Sequence, residues 1–334
     1  MKKSIKVVAL GPFPPPRGGV SVHLERLRLK SCGQSGISLS VFDIKRFTLH
    51  SEKKTRSFFR IAASLLQADI IHIHLHHPLK ILPALLFRVL VKKILYTHHN
   101  SRGLQSFSFR MMMKLSHKII FVNEDAYESF SDSPKSFHIP AYIPVAIKKQ
   151  EQLNLGYGSG ERKFRIASLC WHPRTPETFH GKDLYGFDLI IEAIRNIPNN
   201  DLNRSIELIL LDPNKGMKQV YERMINDLND EGNIAINYLC EEVDFPEWIR
   251  DFDLYIRAAR SDGDSLSVRE ALEAGVQVLA SDVCSRPEGT RLFKTDDALN
   301  LSRQIAKLSS VERKSPVIQP DYSLEIFELY KKLL

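Results

Sequence analysis

Two carboxylates eight residues apart, Asp262 and Glu270, are the residues of this sequence best placed to do chemistry. Asp262 belongs to a loop rich in Gly, Ser and Asp, and Glu270 lies about one turn inside a helix predicted over 267–274. Ionised carboxylates only accept hydrogen bonds, so they suit the hydroxyls of a sugar or a ribose. Two alternatives stay open: Ser267 and Glu270 fit a capping box, and Asp262 and Asp264 fit ordinary turn residues.

Two loops are candidates for phosphate binding, because each joins a predicted strand to a predicted helix and so points backbone N–H groups at an anion. In the first half, Gly18 and Gly19 stand just before the helix and let a ligand approach the backbone closely. An ordinary Pro/Gly turn is the alternative, since the loop lacks the GxGxxG pattern of dinucleotide sites. In the second half, the corresponding N–H groups belong to Gly263, Asp264, Ser265, Leu266 and Ser267.

The elements that would position these loops alternate between strands and helices, which predicts an α/β fold with parallel sheets and helices on both faces. Strands are predicted over 5–10, 38–42, 68–75, 93–97, 118–122, 137–139, 164–169, 206–211, 234–239, 254–258 and 276–281. Helices are predicted over 20–30, 58–67, 79–91, 107–116, 184–197, 218–230, 245–251, 267–274, 295–308 and 323–334.

A break in this alternation predicts the domain boundary. Residues 147–163 are polar and Gly-rich without periodicity, and they are interpreted as a linker. We therefore expect two α/β domains of similar size, over 1–150 and 151–322. The helix at 323–334 is expected to pack back on the N-terminal domain.

Several further segments matter because of their order along the chain. They are the Pro-rich loop at 14–19, ADIIHIH at 68–74, KILYTHHN at 93–100, KDLYGFDLIIEA at 182–193, EALEAGVQVLASD at 270–282 and RPEG at 286–289. Together with Asp262 and Glu270 they resemble the motifs of the family-4 retaining glycosyltransferases, whose signature is Glu-x7-Glu followed by EAxAxGxPVVASD. The resemblance covers nearly the whole chain.

The chain departs from this family pattern at four places. The first Glu of the pair is Asp262, which is one methylene shorter, and the Pro of GxPVV is Gln277. The family's GRL turn, whose Arg reaches the diphosphate, is LCWHPR at 169–174, and Lys182 stands four residues before Gly186. The resemblance implies that Arg174 and Lys182 form the diphosphate clamp.

The resemblance implies a GT-B fold, in which two Rossmann-like domains face each other across a cleft. The nucleotide-sugar donor would lie on the C-terminal domain, with Glu270 on the ribose hydroxyls and Asp262 on the transferred sugar. The N–H groups of both loops, with Arg174 and Lys182, would stabilise the departing diphosphate, and His98 would contact the sugar. The acceptor, a saccharide or a lipid-linked saccharide, would lie on the N-terminal domain. Retention fits same-face attack through an oxocarbenium-like state, with no cofactor.

No metal site is expected. His72, His74 and His76 share one face of a predicted strand, but no carboxylate or Cys accompanies them. The four cysteines include no CxxC pair, which argues against a zinc site or a disulfide framework and fits a reducing compartment. His23 and His99 remain open between a functional and a structural role.

Charge is distributed unevenly along the chain. Residues 1–150 hold 24 Lys and Arg against 8 Asp and Glu, a net charge of +16, whereas the remainder carries −8. Such asymmetry indicates that one half faces an anionic surface. The segments 53–60 and 107–114 mix basic with aromatic and Met residues, which predicts peripheral contact with an anionic membrane. Nucleic acid fits the charge, but no nucleic-acid module is present.

The resulting expectation is a cytoplasmic enzyme on the inner face of the membrane that acts in cell-surface polysaccharide synthesis. Two other functions remain open. A nucleotide-sugar epimerase of the same shape needs neither an acceptor site nor a basic domain. A non-catalytic nucleotide-sugar-binding module would explain why Asp262 replaces the family's Glu.

Overall fold

The structure is a computed structural model that describes residues 4–34, 36–145, 163–172, 178–198, 204–226, 234–311, 313 and 315–334. The chain divides into two compact units. Unit 1 comprises Met1–Val145 and Pro320–Leu334, and unit 2 comprises Ala146–Gln319. The boundaries thus differ from the predicted ones by five residues or fewer. The predicted linker lies almost wholly outside the described residues, between 145 and 163.

Unit 1 is built on a seven-stranded sheet with the order β3-β2-β1-β4-β5-β6-β7, in which only β2 and β3 pair antiparallel. The strands are β1 (Ile5–Leu10), β2 (Ile37–Asp43), β3 (Thr48–His50), β4 (Ile70–Ile73), β5 (Lys93–His98), β6 (Lys118–Phe121) and β7 (Ser136–His138). The helices are α1 (Gly19–Ser31), α2 (Phe58–Gln67), α3 (Ile81–Val89, after a 3-10 turn at Pro78–Lys80), α4 (Phe107–Leu115) and α5 (Glu124–Glu128).

Side-chain alternation along β1 gives this sheet a core on each face. Val7 belongs to a cluster with residues of α1, and Val8 belongs to the cluster that α2, α3 and α4 cover. The helix predicted over 79–91 is present but shorter, because this segment begins as a 3-10 turn and the helix ends at Val89. The short elements β3 and α5 were not predicted.

Unit 2 is built on a parallel sheet with the order β12-β11-β8-β13-β14-β15, beside a separate β9–β10 hairpin. Its strands are β8 (Phe164–Leu169), β9 (Thr178–Phe179), β10 (Lys182–Asp183), β11 (Ile206–Leu211), β12 (Ile234–Leu239), β13 (Leu254–Arg257), β14 (Gln277–Ser281) and β15 (Arg291–Phe293). Its helices are α6 (Phe187–Arg195), α7 (Lys218–Asn226), α8 (Phe245–Trp248), α9 (Leu266–Glu273) and α10 (Ala298–Ser309), with a 3-10 turn at Ile249–Asp251.

The last helix, α11 (Ser323–Leu333), belongs to unit 1. Its apolar residues Phe327 and Tyr330 join the cluster that contains Val7, and the Tyr330 hydroxyl lies 2.7 Å from Nδ1 of His72. The chain thus returns to its first unit after completing the second. None of the helices in the described part of the chain is both long enough and apolar enough to cross a membrane.

Candidate active site

Asp262 and Glu270 lie at the carboxyl end of β13, the edge at which parallel α/β sheets bind ligands. β13 ends at Arg257, a loop follows, and α9 begins at Leu266, so Glu270 occupies its second turn and is buried. The capping-box alternative is wrong. The N-cap residue is Ser265, whereas Ser267 lies inside the helix, where its hydroxyl is 2.7 Å from the Tyr255 hydroxyl.

Two arginines hold the Asp262 carboxylate. Arg257 donates to both oxygens through Nε and Nη2, at 2.9 and 3.0 Å, and Nη1 of Arg286 donates at 2.8 Å. Burial alone would raise the pKa of Asp262, but the two guanidinium groups hold it well below its usual range. The residue is therefore ionised and fixed in orientation. Sequence reasoning missed Arg257, although an arginine ending an otherwise apolar strand was a visible signal.

Asp264 has a separate ion-pair partner. Its Oδ1 lies 2.7 Å from Nε of Arg269, whose Nη1 donates to Gln319 at 3.0 Å. These contacts tie the loop to α9 and to the end of unit 2. The Gly263 N–H donates to Asp262 Oδ1 at 3.1 Å, so of the predicted anion-binding N–H groups this one is already engaged.

Lys182 lies in a network of charges with Arg260. Its Nζ is 2.6 Å from Asp296, and it remains about half exposed. Arg260 is buried and pairs with Asp188 at 2.7 Å and with Asp296 at 2.9 Å. The loop that follows β13 is thereby joined to the hairpin residue predicted to clamp a diphosphate. Arg174, the other predicted clamp residue, lies outside the described residues.

Gly186 controls how closely α6 approaches β13. It caps α6 with a φ of +76°, and a Cβ there would lie 2.1 Å from the carbonyl oxygen of Ala258. Only glycine fits both the left-handed conformation and this approach. The position of the loop carrying Asp262 thus depends on a residue 76 positions earlier in the sequence.

A buried imidazole joins the carboxyl ends of β8 and β11. Nε2 of His172 lies 2.9 Å from Asp183, and Nδ1 lies 3.2 Å from Asp212. Burial favours the neutral ring, but the two carboxylates outweigh it and raise the pKa of His172 to about 9. Tyr221 and Tyr238 donate hydroxyl hydrogen bonds to the same two carboxylates.

Among the described residues, the surroundings of His172 also contain a group of side chains with the atoms to hold a metal ion. Cys170, His172 and Asp212 offer ligand atoms within 4.8 Å of one another. The fold brings these residues together, since neither Cys170 nor Asp212 belongs to a metal-binding spacing in the sequence. Their atoms are engaged in hydrogen bonds to one another and to Asp183, which describes a charged structural network rather than an open coordination site.

The predicted residues of unit 1 lie in two places. Gly18 and Gly19 start α1, and a Cβ at either position would meet nothing within 4 Å, so the backbone there is open to a ligand. His98 ends β5 and is buried, with Nδ1 at 3.1 Å from the Tyr96 hydroxyl. Burial, and then the charge of Lys80, lowers the pKa of His98 to about 4, so its ring is neutral.

Four other histidines of unit 1, His23, His72, His74 and His99, form a buried cluster of neighbouring rings. His74 Nδ1 lies 2.9 Å from His99 Nε2, His23 Nδ1 lies 2.6 Å from the Ala141 carbonyl, and His72 bonds Thr97 and Tyr330. Burial is the largest cause that lowers the pKa of each of these four rings. The structural alternative for His23 and His99 is thus supported by their contacts.

Comparisons with known proteins identify the class of fold. No protein-family profile matches the chain. Protein CapJ of Staphylococcus aureus is 26% identical over 171 residues, which span 46% of this chain and only 43% of CapJ. HepE of Anabaena, solved with UDP-glucose, superposes with a TM-score of 0.68 at 13% identity, over 98% of this chain and 99% of HepE.

Two further solved structures bear on the class of fold. Sucrose-phosphate synthase of Thermosynechococcus elongatus gives a TM-score of 0.64 at 13% identity, with 98% of each chain covered. A putative UDP-N-acetylglucosamine 2-epimerase of Listeria monocytogenes gives 0.59 at 16% identity, over 98% of this chain and 96% of the other. As the sequence predicted, the chain has the α/β fold of the GT-B glycosyltransferases.

Proposed function

We propose that the chain is a retaining glycosyltransferase that moves a sugar from a nucleotide-diphosphate sugar to a saccharide or lipid-linked acceptor in cell-surface polysaccharide synthesis. The observation that carries the proposal is the pair formed by the ionised Asp262, in the loop after β13, and the buried Glu270, in α9, at the carboxyl edge of the unit 2 sheet. A fold shared with HepE in its UDP-glucose complex supports the donor class. The partial similarity to CapJ supports a role in polysaccharide synthesis.

Each residue has a distinct role in this proposal. Glu270 accepts hydrogen bonds from the ribose hydroxyls, and Asp262 accepts them from the transferred sugar. The N–H groups of 264–267 stabilise negative charge on the diphosphate. The predicted Gly263 N–H instead donates to Asp262 Oδ1 at 3.1 Å and helps to hold that carboxylate. His98 supplies a neutral ring to a sugar hydroxyl, which agrees with its lowered pKa.

The positive charge of Lys182 serves the diphosphate together with Arg174 and the backbone at Gly18 and Gly19. Lys182 is half exposed, so its Nζ can exchange Asp296 for a phosphate oxygen without a large desolvation cost. While Lys182 binds the phosphate, Arg260 keeps its ion pair with Asp296 and holds the hairpin in place. Such clamps act mainly on charge that develops as the leaving group departs.

The reaction breaks the bond between the sugar C1 and the diphosphate oxygen and forms a bond from C1 to the acceptor oxygen. Attack occurs on the face the diphosphate leaves, which retains configuration, and the acceptor proton passes to the departing phosphate oxygen. No cofactor or metal takes part in this proposal, because helix N–H groups and basic side chains stabilise the diphosphate charge.

The charge of the N-terminal half supports a location on the inner face of the membrane. The basic residues of 53–60 and 107–114 would attract anionic lipid, each contributing about 1 kcal/mol near the surface. We expect vesicle binding that weakens with salt and is reduced in the Lys53/Lys54/Arg56/Arg60→Ser and Arg110/Lys114→Ser variants.

The test begins with a thermal-shift screen of nucleoside diphosphates and nucleotide-sugars at concentrations well above the expected Kd, because ligand binding stabilises the folded state. The best donor then enters a transfer assay with and without EDTA. Transfer that survives EDTA supports the proposal. Loss of transfer on chelation, restored by magnesium or manganese, would contradict metal independence.

An epimerase is the second candidate, and the similarity to the Listeria protein favours it. NMR of the donor incubated with the protein alone separates the two functions. An epimeric nucleotide-sugar would establish the epimerase, whereas transfer only in the presence of acceptor would exclude it. A protein that binds the donor without hydrolysis, transfer or epimerisation would be a binding module.

A further inference from the structure

Helix α3 turns an apolar face to solvent. Leu82, Leu85, Leu86 and Val89, here called the α3 apolar face, are between 42% and 79% exposed. The opposite side of the helix is apolar as well, since Ala84 and Phe87 are buried against the sheet. A helix that is apolar all round normally has both sides covered, and a contiguous exposed apolar patch marks an interaction surface.

The neighbouring helices also expose large apolar side chains. Residues of α2, α3 and α4 all contribute to one core cluster, so the three helices cover the same face of the unit 1 sheet. Phe58 and Phe59 at the start of α2 and Phe107 at the start of α4 are each more than 60% exposed. Lys92, just after α3, donates to the Leu66 carbonyl at the end of α2, at 2.6 Å, which links the chain after α3 to the end of α2.

The charge of the chain around α2, α3 and α4 favours an anionic partner. Residues 53–123 contain twelve Lys and Arg, of which Lys80 is buried, but one acidic residue, Asp69, whose carboxylate accepts the Lys6 N–H at 2.8 Å. An apolar face among basic residues matches an anionic bilayer, in which acyl chains take the apolar side chains and headgroup phosphates take the cations. A second copy of the chain is disfavoured, because its identical surface carries the same charge.

We propose that the α3 apolar face inserts into an anionic lipid bilayer while the basic residues of α2, α4 and the 92–93 segment bind the headgroups. This proposal specifies the membrane contact of the proposed function. It depends on the proposed function only for its biological purpose, which is the delivery of a lipid-linked acceptor. It differs from the sequence expectation, which relied on 53–60 and 107–114 and on charge. Insertion adds a component of binding that salt does not screen.

The discriminating variant is Leu82→Gln/Leu86→Gln/Val89→Gln, which keeps good helix formers on an exposed face. Its matched control is Leu299→Gln/Leu324→Gln/Val220→Gln, the same substitutions at helix positions that are 56%, 53% and 47% exposed. Both are compared with the wild-type chain by co-sedimentation with phosphatidylglycerol/phosphatidylcholine vesicles and with phosphatidylcholine vesicles, at low and high salt.

We expect the α3 variant to lose at least about tenfold in partitioning to anionic vesicles, and to lose the part of binding that survives high salt. The control should stay within about twofold of the wild type. Equal partitioning of the α3 variant and the wild type would overturn the proposal. So would a wild-type dimer that the α3 substitutions convert to a monomer, because the face would then be a contact between copies.

A second measurement separates this proposal from the proposed function. Thermal shifts by the donor in free solution should be the same for the α3 variant and the wild type, since the face is in unit 1 and the proposed donor residues Asp262 and Glu270 are in unit 2. A wild-type chain that ignores every nucleotide-sugar yet partitions through α3 would refute the glycosyltransferase and leave the membrane surface standing.

Discussion

Arg257 and Asp262 form a two-pronged ion pair in which both carboxylate oxygens accept from one guanidinium group. The side chains are 14% and 9% exposed, so water screens the pair little. Arg286 adds a second cation, which leaves the cluster with an excess positive charge. We infer that Arg257 positions Asp262 and keeps it ionised, so that the carboxylate meets a ligand without rearranging.

Asp262→Asn should reduce turnover more than donor binding, because the proposal assigns the residue to the transferred sugar. It should also destabilise unit 2 by about 3 kcal/mol, since removing one partner of a buried pair leaves uncompensated charge. Steady-state kinetics, donor affinity and urea unfolding measure the three quantities. An equal loss of affinity for the free nucleoside diphosphate and for the donor would contradict the assigned role.

Glu270→Ala should lower nucleotide-sugar affinity and transfer by at least about tenfold, a loss of about 1.4 kcal/mol or more. The structure removes the capping explanation, since Ser265 and not Ser267 is the N-cap of α9. Glu192→Ala is the control, because Glu192 is an exposed helical glutamate of the same unit. Full activity in the Glu270 variant with only a lower melting temperature would assign the residue to stability.

Most core strands could be predicted from the sequence because their signal is local. The apolar, β-branched runs at Ile5–Leu10, Phe164–Leu169, Ile206–Leu211 and Ile234–Leu239 occur with the predicted bounds. The helix that contains Glu270 was predicted one residue late, since Leu266 already belongs to the helix that Ser265 caps. The elements β3 and α5 were missed because they are too short to show periodicity.

Several partners within the site could not be predicted, because these contacts join distant parts of the chain. Arg286 reaches Asp262 across 24 positions, and Asp296 meets Arg260 across 36. His172 was noted only as part of an altered turn, whereas the fold places it between Asp183 and Asp212. Sequence patterns identified the loop that presents the carboxylates, and packing determines which cations hold them.

Gly186→Ala should lower the melting temperature of unit 2 markedly. The new methyl group would meet the Ala258 carbonyl oxygen at 2.1 Å, and the φ of +76° adds a cost of about 1 kcal/mol for any residue with a side chain. Gly33→Ala is the control, since its methyl group would meet only ordinary contacts at 3.7 Å. Differential scanning calorimetry measures both. A Gly186 variant as stable as the control would show that α6 can shift freely from β13.

Stability of unit 2 should fall as pH rises above neutrality, because of His172. Its pKa is about 9 when folded and about 6.5 when unfolded, so the folded state binds the extra proton between these values. The stabilisation is therefore complete below about pH 6.5 and disappears as pH increases toward 9. His172→Gln should abolish this alkaline dependence and cost stability at neutral pH, because Asp183 and Asp212 lose their cation.

Unit 1 should respond to pH with the opposite sign. Burial lowers the pKa of His23, His72, His74, His98 and His99 below 6.5, so the unfolded chain binds protons that the folded unit excludes. Below about pH 6.5 each ring can remove up to about 1.4 kcal/mol of stability per pH unit. His74→Asn should reduce this acid sensitivity if the substitution leaves unit 1 folded.

The opposite pH dependences of stability in the two units can be tested together by hydrogen exchange of the full chain, which reports on each unit separately. At about pH 5 we expect faster global opening of amides in β1, β4 and β5, and at about pH 9 faster opening in β8 and β11, relative to neutral pH after correction for intrinsic exchange. His172→Gln should change only the second pattern. Parallel acid and alkaline responses in both units, or an unaltered alkaline response in the variant, would show that these buried histidines do not control the pH stability of the fold.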